Sequence, residues 1–175
     1  MIHATLTPAD VENLLRELAR RVHARGVAAG IRVVGGAAIA LMNPDRRVTQ
    51  DIDALLLPEE PLRNIAALMA AERGLTQDWL NDAAKAYVPL VGLEDWQEVF
   101  REGDVAIYIG SIEMLLAMKL LANRGRRDTS DIEFLSGRCQ ITSLEQAQEI
   151  YERYHAQGVI AGAAAARIAN WLARQ

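Results

Sequence analysis

The sequence predicts an α+β fold, in which strands dominate the middle of the chain and helices form the C-terminal third. Helical periodicity opens the chain from residue 7 to residue 25. Strand-like apolar runs separated by turn signals occur between residues 31 and 109, and every segment predicted after Gly110 is a helix. Strands in one part of the chain followed by a run of helices are typical of α+β rather than alternating α/β folds. At 175 residues the chain can bury one core with a small helical appendage.

Local signals set the predicted elements. The first helix begins at Thr7-Pro8, because a capping hydroxyl precedes a proline at the first helical position. Ser111 caps an apolar helix, and Ser143 with Gln146 forms a capping box for a later one. The predicted strands are 31–34, 49–57, 87–91, 96–101 and 105–109, and the predicted helices after the first are 37–42, 61–71, 76–84, 111–121, 129–135, 143–155 and 159–172.

Composition limits the classes of function. Hydrophobic residues make up 51% of the chain and charged residues 24%, which is ordinary for a globular protein. The net charge of -4 gives no support for a broad electrostatic grip on nucleic acid. A single cysteine, Cys139, excludes an intrachain disulfide and fits a reducing compartment. With no signal-peptide pattern and no run of 18 apolar residues, we expect a cytoplasmic protein without a membrane partner.

A glycine pair, Gly35-Gly36, stands between a predicted strand and a predicted helix. Backbone N–H groups at a helix N-terminus can hold phosphate, and glycine allows a ligand to approach the backbone closely. A tight turn without a ligand gives the same pattern. A dinucleotide-binding turn is disfavoured, because Val33 and Ala38 occupy positions where its motif requires glycines.

Two carboxylates make the phosphate interpretation more specific. Asp51 and Asp53 are two apart in a predicted strand, so their side chains lie side by side while Ile52 points inward. Like charges in that position repel unless a cation lies between them. Magnesium suits the pair, with manganese as a second choice, because it takes oxygen ligands and shares its other positions with phosphates. Two incidental acids on a solvated strand edge are the alternative.

These residues carry a resemblance to a known superfamily. Gly35-Gly36 followed by the segment Arg47-Val48-Thr49-Gln50-Asp51-Ile52-Asp53 resembles the signature of polymerase-beta-type nucleotidyltransferases. The match is closest to the bacterial branch that includes the AbiE-type toxins of type IV toxin–antitoxin systems. That branch reads as a glycine pair followed by Arg-x-Thr-x-Asp-x-Asp. The resemblance implies a small mixed sheet flanked by helices, and it adds Arg47 and Thr49 to the nucleotide-binding candidates.

A second block is similar to the same branch. It comprises an apolar helix containing Lys119, followed by Arg127, Asp128 and Asp131. The resemblance implies that Lys119 contacts the nucleotide phosphates. The sequence alone leaves open that Lys119 extends its stem to reach water. Arg127 suits phosphate, because guanidinium groups bind it bidentately, although a charged loop paired with the aspartates is equally compatible. Asp128 and Asp131 share a helical face and are predicted to orient Lys119 or an arginine.

The resemblance implies transfer of a nucleoside monophosphate from a nucleoside triphosphate to a hydroxyl on tRNA or protein, with a toxin role and a cognate antitoxin as partner. The superfamily adds a third carboxylate from a neighbouring strand. Asp104 is the candidate, with Glu102 and Glu98 as alternatives. Without a third carboxylate, a non-catalytic protein of the same fold that binds nucleotide or a partner is the alternative. We expect a nucleotidyltransferase core over residues 1–137 and a helical extension over residues 138–175.

Overall fold

The fold is α+β, as predicted, with a five-stranded mixed sheet and a helical C-terminal third. The computed structural model describes residues 5–46 and 48–175. The strands are β1 (Ala29–Val34), β2 (Ile52–Leu57), β3 (Leu80–Asn81), β4 (Trp96–Glu102) and β5 (Val105–Gly110). The helices are α1 (Pro8–His23), α2 (Gly35–Met42), α3 (Glu59–Arg73), α4 (Ile112–Ala122), α5 (Arg126–Arg138), α6 (Leu144–Tyr154) and α7 (Gly162–Leu172).

By their contacts the described residues form two compact units. The first unit contains the described residues up to Ala86 together with Trp96–Ile109, and the second contains Tyr87–Asp95 and Gly110–Gln175. The boundary predicted at residue 137 stays a prediction; in this grouping α4 and α5 belong with the C-terminal helices. Within the described ranges no helix is both long enough and apolar enough to cross a bilayer.

The sheet of the first unit has the strand order β3-β2-β1-β5-β4. β1 runs antiparallel to β2, with Val34 opposite Asp53, and parallel to β5, with Ala29 opposite Val105. One face of the sheet is apolar and buried, and α2 and α3 contact its strands. Its members are Ile31, Val33, Ile52, Ala54, Val105, Ile107 and Ile109. Because successive side chains alternate between faces, Asp53 lies on the opposite, open face.

Two predicted elements are wrong. Residues 76–84, predicted as a helix, contain the short strand β3 and the start of a 3₁₀ turn over Ala83–Tyr87. Residues 87–91, predicted as a strand, have no strand pairing. Tertiary contacts explain the first difference, because Trp79 is buried and donates its indole N–H to the carbonyl of Ala66 at 3.0 Å. That anchor places Leu80 and Asn81 alongside β2.

The second unit is built from α4 to α7 and the segment Tyr87–Asp95. The Tyr154 hydroxyl of α6 donates to the Asp95 carboxylate at 2.8 Å, and the Ser111 N–H donates to the Asp95 carbonyl at 2.8 Å. These bonds tie the segment to the helices. Burial raises the pKa of the Cys139 thiol to about 11, the direction typical of a structural cysteine rather than of a reactive thiolate.

Candidate active site

The glycine pair lies at the start of α2, directly after β1. Gly35 has a φ of +62°, a conformation that residues with a Cβ adopt only at a cost. A Cβ on Gly35 would lie 3.1 Å from Oδ2 of Asp53, and one on Gly36 would lie 2.9 Å from Oγ1 of Thr49. The N-cap residue Val34 makes no side-chain hydrogen bond to this helix, and the first N–H groups of a helix have no intrahelical partner. The structure therefore brings Gly35, Gly36, Thr49 and Asp53 together around a helix N-terminus.

Asp51 and Asp53 are both held by one short segment, residues 81–84. The Asn81 amide donates to Oδ2 of Asp51 at 3.0 Å, and the Ala84 N–H donates to Oδ1 of Asp53 at 3.2 Å. Asp53 is only 8% exposed, whereas Asp51 is half-buried just before β2. The Thr49 hydroxyl donates to the Asp51 carbonyl at 3.3 Å. The two carboxylates are thus oriented by hydrogen bonds at the same end of the sheet as the glycine pair.

Asn81 is a site residue that the sequence prediction missed. It lies in β3 beside Asp53, and its amide N–H groups reach both the Asp51 carboxylate and the Asp78 carbonyl. Its side-chain oxygen accepts from the Ala83 N–H at 2.8 Å. The predicted helix over residues 76–84 concealed this role. The Asn81-Asp82 pair is a turn signal that argues against that helix.

The prediction of Asp104 as the third carboxylate is not supported. The Ala29 N–H donates to the Asp104 carbonyl, so Asp104 lies beside the start of β1, whereas Asp53 lies beside its end at Val34. Those five steps along β1 span roughly 16 Å. The alternatives Glu98 and Glu102 lie on β4, separated from β2 by two strands, which is roughly 14 Å. Over residues 5–46 and 48–175 no group of three His, Cys, Asp or Glu side chains converges as a metal site.

Of the two other residues predicted for the first block, Thr49 packs against Gly36 as described, and Arg47 lies outside the described residues. The two carboxylates fit a divalent cation of the magnesium type, since magnesium in proteins is often held by one or two carboxylates and completed by water and substrate phosphates. The donor set is all oxygen, and the adjacent uncapped helix N-terminus suits the phosphates.

The second predicted block forms a buried ionic cluster within the second unit. Lys119 is only 5% exposed, and its ammonium lies 2.7 Å from Oδ1 of Asp128 and 2.9 Å from Oδ2 of Asp131. Lys119 therefore does not extend to water; two carboxylates of its own unit meet its charge. Arg124 donates its backbone N–H to Asp128 at 2.8 Å. Arg127 is exposed on α5.

Opposing effects set the protonation of Asp128. Burial on its own raises the pKa of this carboxyl, but the hydrogen bond and charge of Lys119, with help from Arg124, bring the pKa below its usual value of 3.8. Asp128 is therefore ionised at neutral pH, and its negative charge is needed to hold Lys119 inside the unit. The predicted contact of Lys119, Arg127, Asp128 and Asp131 with nucleotide stays a prediction.

A mixed sheet with a glycine-led helix after one strand and an Asp-x-Asp pair at the start of its neighbour is the arrangement expected from the resemblance to nucleotidyltransferases. The comparison with protein families gives the particular family. The chain belongs to DUF6036, a family described as nucleotidyltransferase of unknown function, whose model matches residues 11–167. Searches of curated proteins and of solved structures gave no match.

Proposed function

We propose that this protein transfers a nucleoside monophosphate from a nucleoside triphosphate to a hydroxyl acceptor, with magnesium, or manganese in its place, as the cofactor. The observation that carries the proposal is the contact between Gly35, at the N-terminus of α2, and the carboxylate of Asp53. This proximity supports the proposal, because a helix N-terminus favours phosphate and a carboxylate pair beside it favours magnesium. Membership of a nucleotidyltransferase family supports the same reaction.

In this mechanism the N–H groups at the start of α2 hold the β- and γ-phosphates, because the helix dipole favours negative charge there. Asp51 and Asp53 would hold the metal, which supplies positive charge to the phosphates when bound. Asn81 and the Ala84 N–H keep the two carboxylates oriented. The acceptor hydroxyl releases its proton to solvent and forms a bond to the α-phosphorus, the bond from the α-phosphorus to the bridging oxygen breaks, and pyrophosphate leaves with that oxygen.

One observation favours a second function, nucleotide binding without catalysis. The described residues provide two carboxylates at this site, and the strand neighbour of Asp53 is the amide Asn81. An amide cannot take the proton of an attacking hydroxyl as a carboxylate can. On this alternative the site holds a metal–triphosphate complex and signals its presence to a partner.

The biological role is proposed from the resemblance of both blocks to the AbiE-type branch. We propose a cytoplasmic toxin of bacterial type, with tRNA or a protein hydroxyl as acceptor and an antitoxin protein as partner. The order of the two blocks in the sequence supports this role.

Label transfer tests the catalytic proposal. The protein is incubated with each α-labelled triphosphate, magnesium and either total tRNA or a bacterial lysate, and wild type is compared with Asp53→Ala. We expect label on an acceptor with wild type and a loss of at least about a hundredfold with the variant, since phosphoryl transfer depends on charge stabilisation. Equal transfer by both proteins contradicts the assignment. Triphosphate binding by wild type without any transfer supports the non-catalytic alternative.

A further inference from the structure

The open face of the sheet has a layered arrangement that starts at Asp53. Paired residues on neighbouring strands share a face, so the register defines successive rows. Asp53 pairs with Val34 in the first row. The next row is Leu55, Arg32 and Tyr108, and the third is Leu57, Gly30 and Ala106. Each row lies roughly 7 Å beyond the last.

A cavity of about 680 Å³ opens over the second and third rows, entirely within the first unit. Gly30 and Ala106 leave space at its floor, because neither has a large side chain. Leu57 beside them is 72% exposed. The volume is in the range of small-molecule sites, which are roughly 300–1,000 Å³. The cavity therefore begins one row beyond Asp53, roughly 7 Å along the strands, on the side facing away from the glycine pair.

Four cationic side chains line the cavity, and they differ in how their charge is met. Arg63 pairs with Glu59 at 2.7 Å and with Asp82 at 3.1 Å, and Arg101 pairs with Glu98 at 2.5 Å. The other two, Arg32 and Lys85, form no ion pair with a carboxylate in the part of the chain that the structure describes.

Arg32 is unusual for its position. It lies on the central strand β1, half-buried, and its guanidinium lies over the Trp96 ring at 5.4 Å from the ring centroid. The ring stabilises the guanidinium by a cation–π contact and leaves its charge available to an anion. Lys85 directly follows Ala84, whose N–H binds Asp53. Both cations thus line the same cavity next to the carboxylate pair.

The direction of the reaction indicates what the cavity holds. If pyrophosphate leaves toward Gly35 and Gly36, an in-line attack brings the acceptor hydroxyl from the opposite side of Asp53. That side is the row containing Arg32. We propose that this cavity is the acceptor subsite and that the acceptor carries a phosphate close to its reacting hydroxyl, bound by Arg32 and Lys85. The inference rests on the proposed function and favours a phosphorylated acceptor, which includes an RNA end, over an unmodified protein side chain.

Phosphate binding is tested by NMR titration of backbone amides, with glycerol 3-phosphate as the probe and glycerol as the uncharged control. We expect saturable shifts of residues lining the cavity with glycerol 3-phosphate alone. Arg32→Gln and Lys85→Gln should each weaken binding about tenfold, the loss of one charge-assisted hydrogen bond. Arg101→Gln is the matched control, because Glu98 already meets its charge, and it should bind like wild type. Lys85 is exposed, so its variant tests the site without burdening the fold.

Three results would overturn the inference: no saturable shift in wild type, shifts confined to Gly35 and Gly36, or binding by Arg32→Gln and Lys85→Gln as tight as that of wild type. Label transfer is then compared between tRNA and small hydroxyl compounds that lack a phosphate. The comparison tells whether RNA supplies the phosphate of the acceptor. A protein that transfers label but fails the titration loses this subsite and keeps the proposed function. A protein that passes the titration but neither binds triphosphate nor transfers label loses the proposed function and keeps an anion site.

Discussion

Gly35 and Asp53 lie in contact: a Cβ on Gly35 would stand 3.1 Å from Oδ2 of the Asp53 carboxylate. Gly35 is the first residue of α2, and Asp53 pairs with Val34, the last residue of β1. The first residue of the helix thus directly follows the strand partner of Asp53. Any side chain at position 35 must both adopt a left-handed backbone and displace that carboxylate.

Gly35→Ala is therefore expected to lose nucleotide binding as well as stability. The left-handed conformation alone costs about 1–2 kcal/mol of unfolding free energy. Gly74→Ala is the matched control, because Gly74 has a φ of +66° and nothing within 4 Å of its would-be Cβ. Urea unfolding should show similar losses in both variants, while triphosphate binding should fall only in Gly35→Ala. Equal binding by the two variants would show that the contact with Asp53 has no role.

Asn81→Asp is expected to make the site more dependent on metal. The substitution removes the hydrogen bond from the Asn81 amide to Asp51. It also adds a third negative charge beside Asp51 and Asp53. Like charges repel, so the melting temperature without magnesium should fall. Addition of magnesium should then raise the melting temperature by more than in wild type. Asn64→Asp, an exposed change on α3, is the control. A magnesium response equal to that of wild type would argue against a metal at this position.

Lys119→Met is expected to destabilise the second unit strongly at neutral pH. Without the ammonium, Asp128 and Asp131 are left buried without their cation, at a cost of about 3–5 kcal/mol. Lys85→Met, at an exposed position, is the control. A Lys119→Met variant as stable as the control would contradict the structural role of the cluster.

The same cluster predicts how stability depends on pH. In wild type the pKa of Asp128 is below 3.8, so its contribution is present above that value and is lost as the pH falls through the lower folded pKa. In Lys119→Met the lowering by Lys119 is lost, so the pKa of Asp128 rises, because burial is then opposed by Arg124 alone. The variant then takes up a proton at higher pH, so its deficit against wild type should narrow between neutral pH and about pH 4. Urea unfolding across this range measures the difference in unfolding free energy between variant and wild type. A difference that does not change with pH would contradict the pairing of Lys119 with Asp128.

The sequence alone predicted those features of the fold and the site that a short local pattern determines. The glycine pair was predicted between a strand and a helix and lies there, and Ile52 was predicted to point inward and is buried. The third carboxylate could not be predicted, because only the register of β1 with β5 shows that Asp104 lies at the opposite end. Asn81 was missed for a similar reason: the pairing of β3 with β2 depends on the burial of Trp79, which no local pattern reveals.

Lys119 shows a further limit of sequence reasoning. Its apolar helix correctly indicated a buried position, and the spacing of Asp128 and Asp131 correctly indicated a shared face. Which anion meets the ammonium was not readable, because an intramolecular carboxylate and a substrate phosphate satisfy a buried lysine equally well.

Magnesium-dependent triphosphate binding tests the central claim most directly. Isothermal titration calorimetry compares wild type, Asp53→Asn and the exposed control Glu60→Gln. The ligands are the α,β-methylene analogues of the four nucleoside triphosphates, each titrated with and without magnesium. We predict that wild type and Glu60→Gln bind at least one analogue about tenfold or more tightly with magnesium, and that Asp53→Asn loses this dependence. Binding of none of the four analogues by wild type, or an unchanged magnesium dependence in Asp53→Asn, would contradict the account.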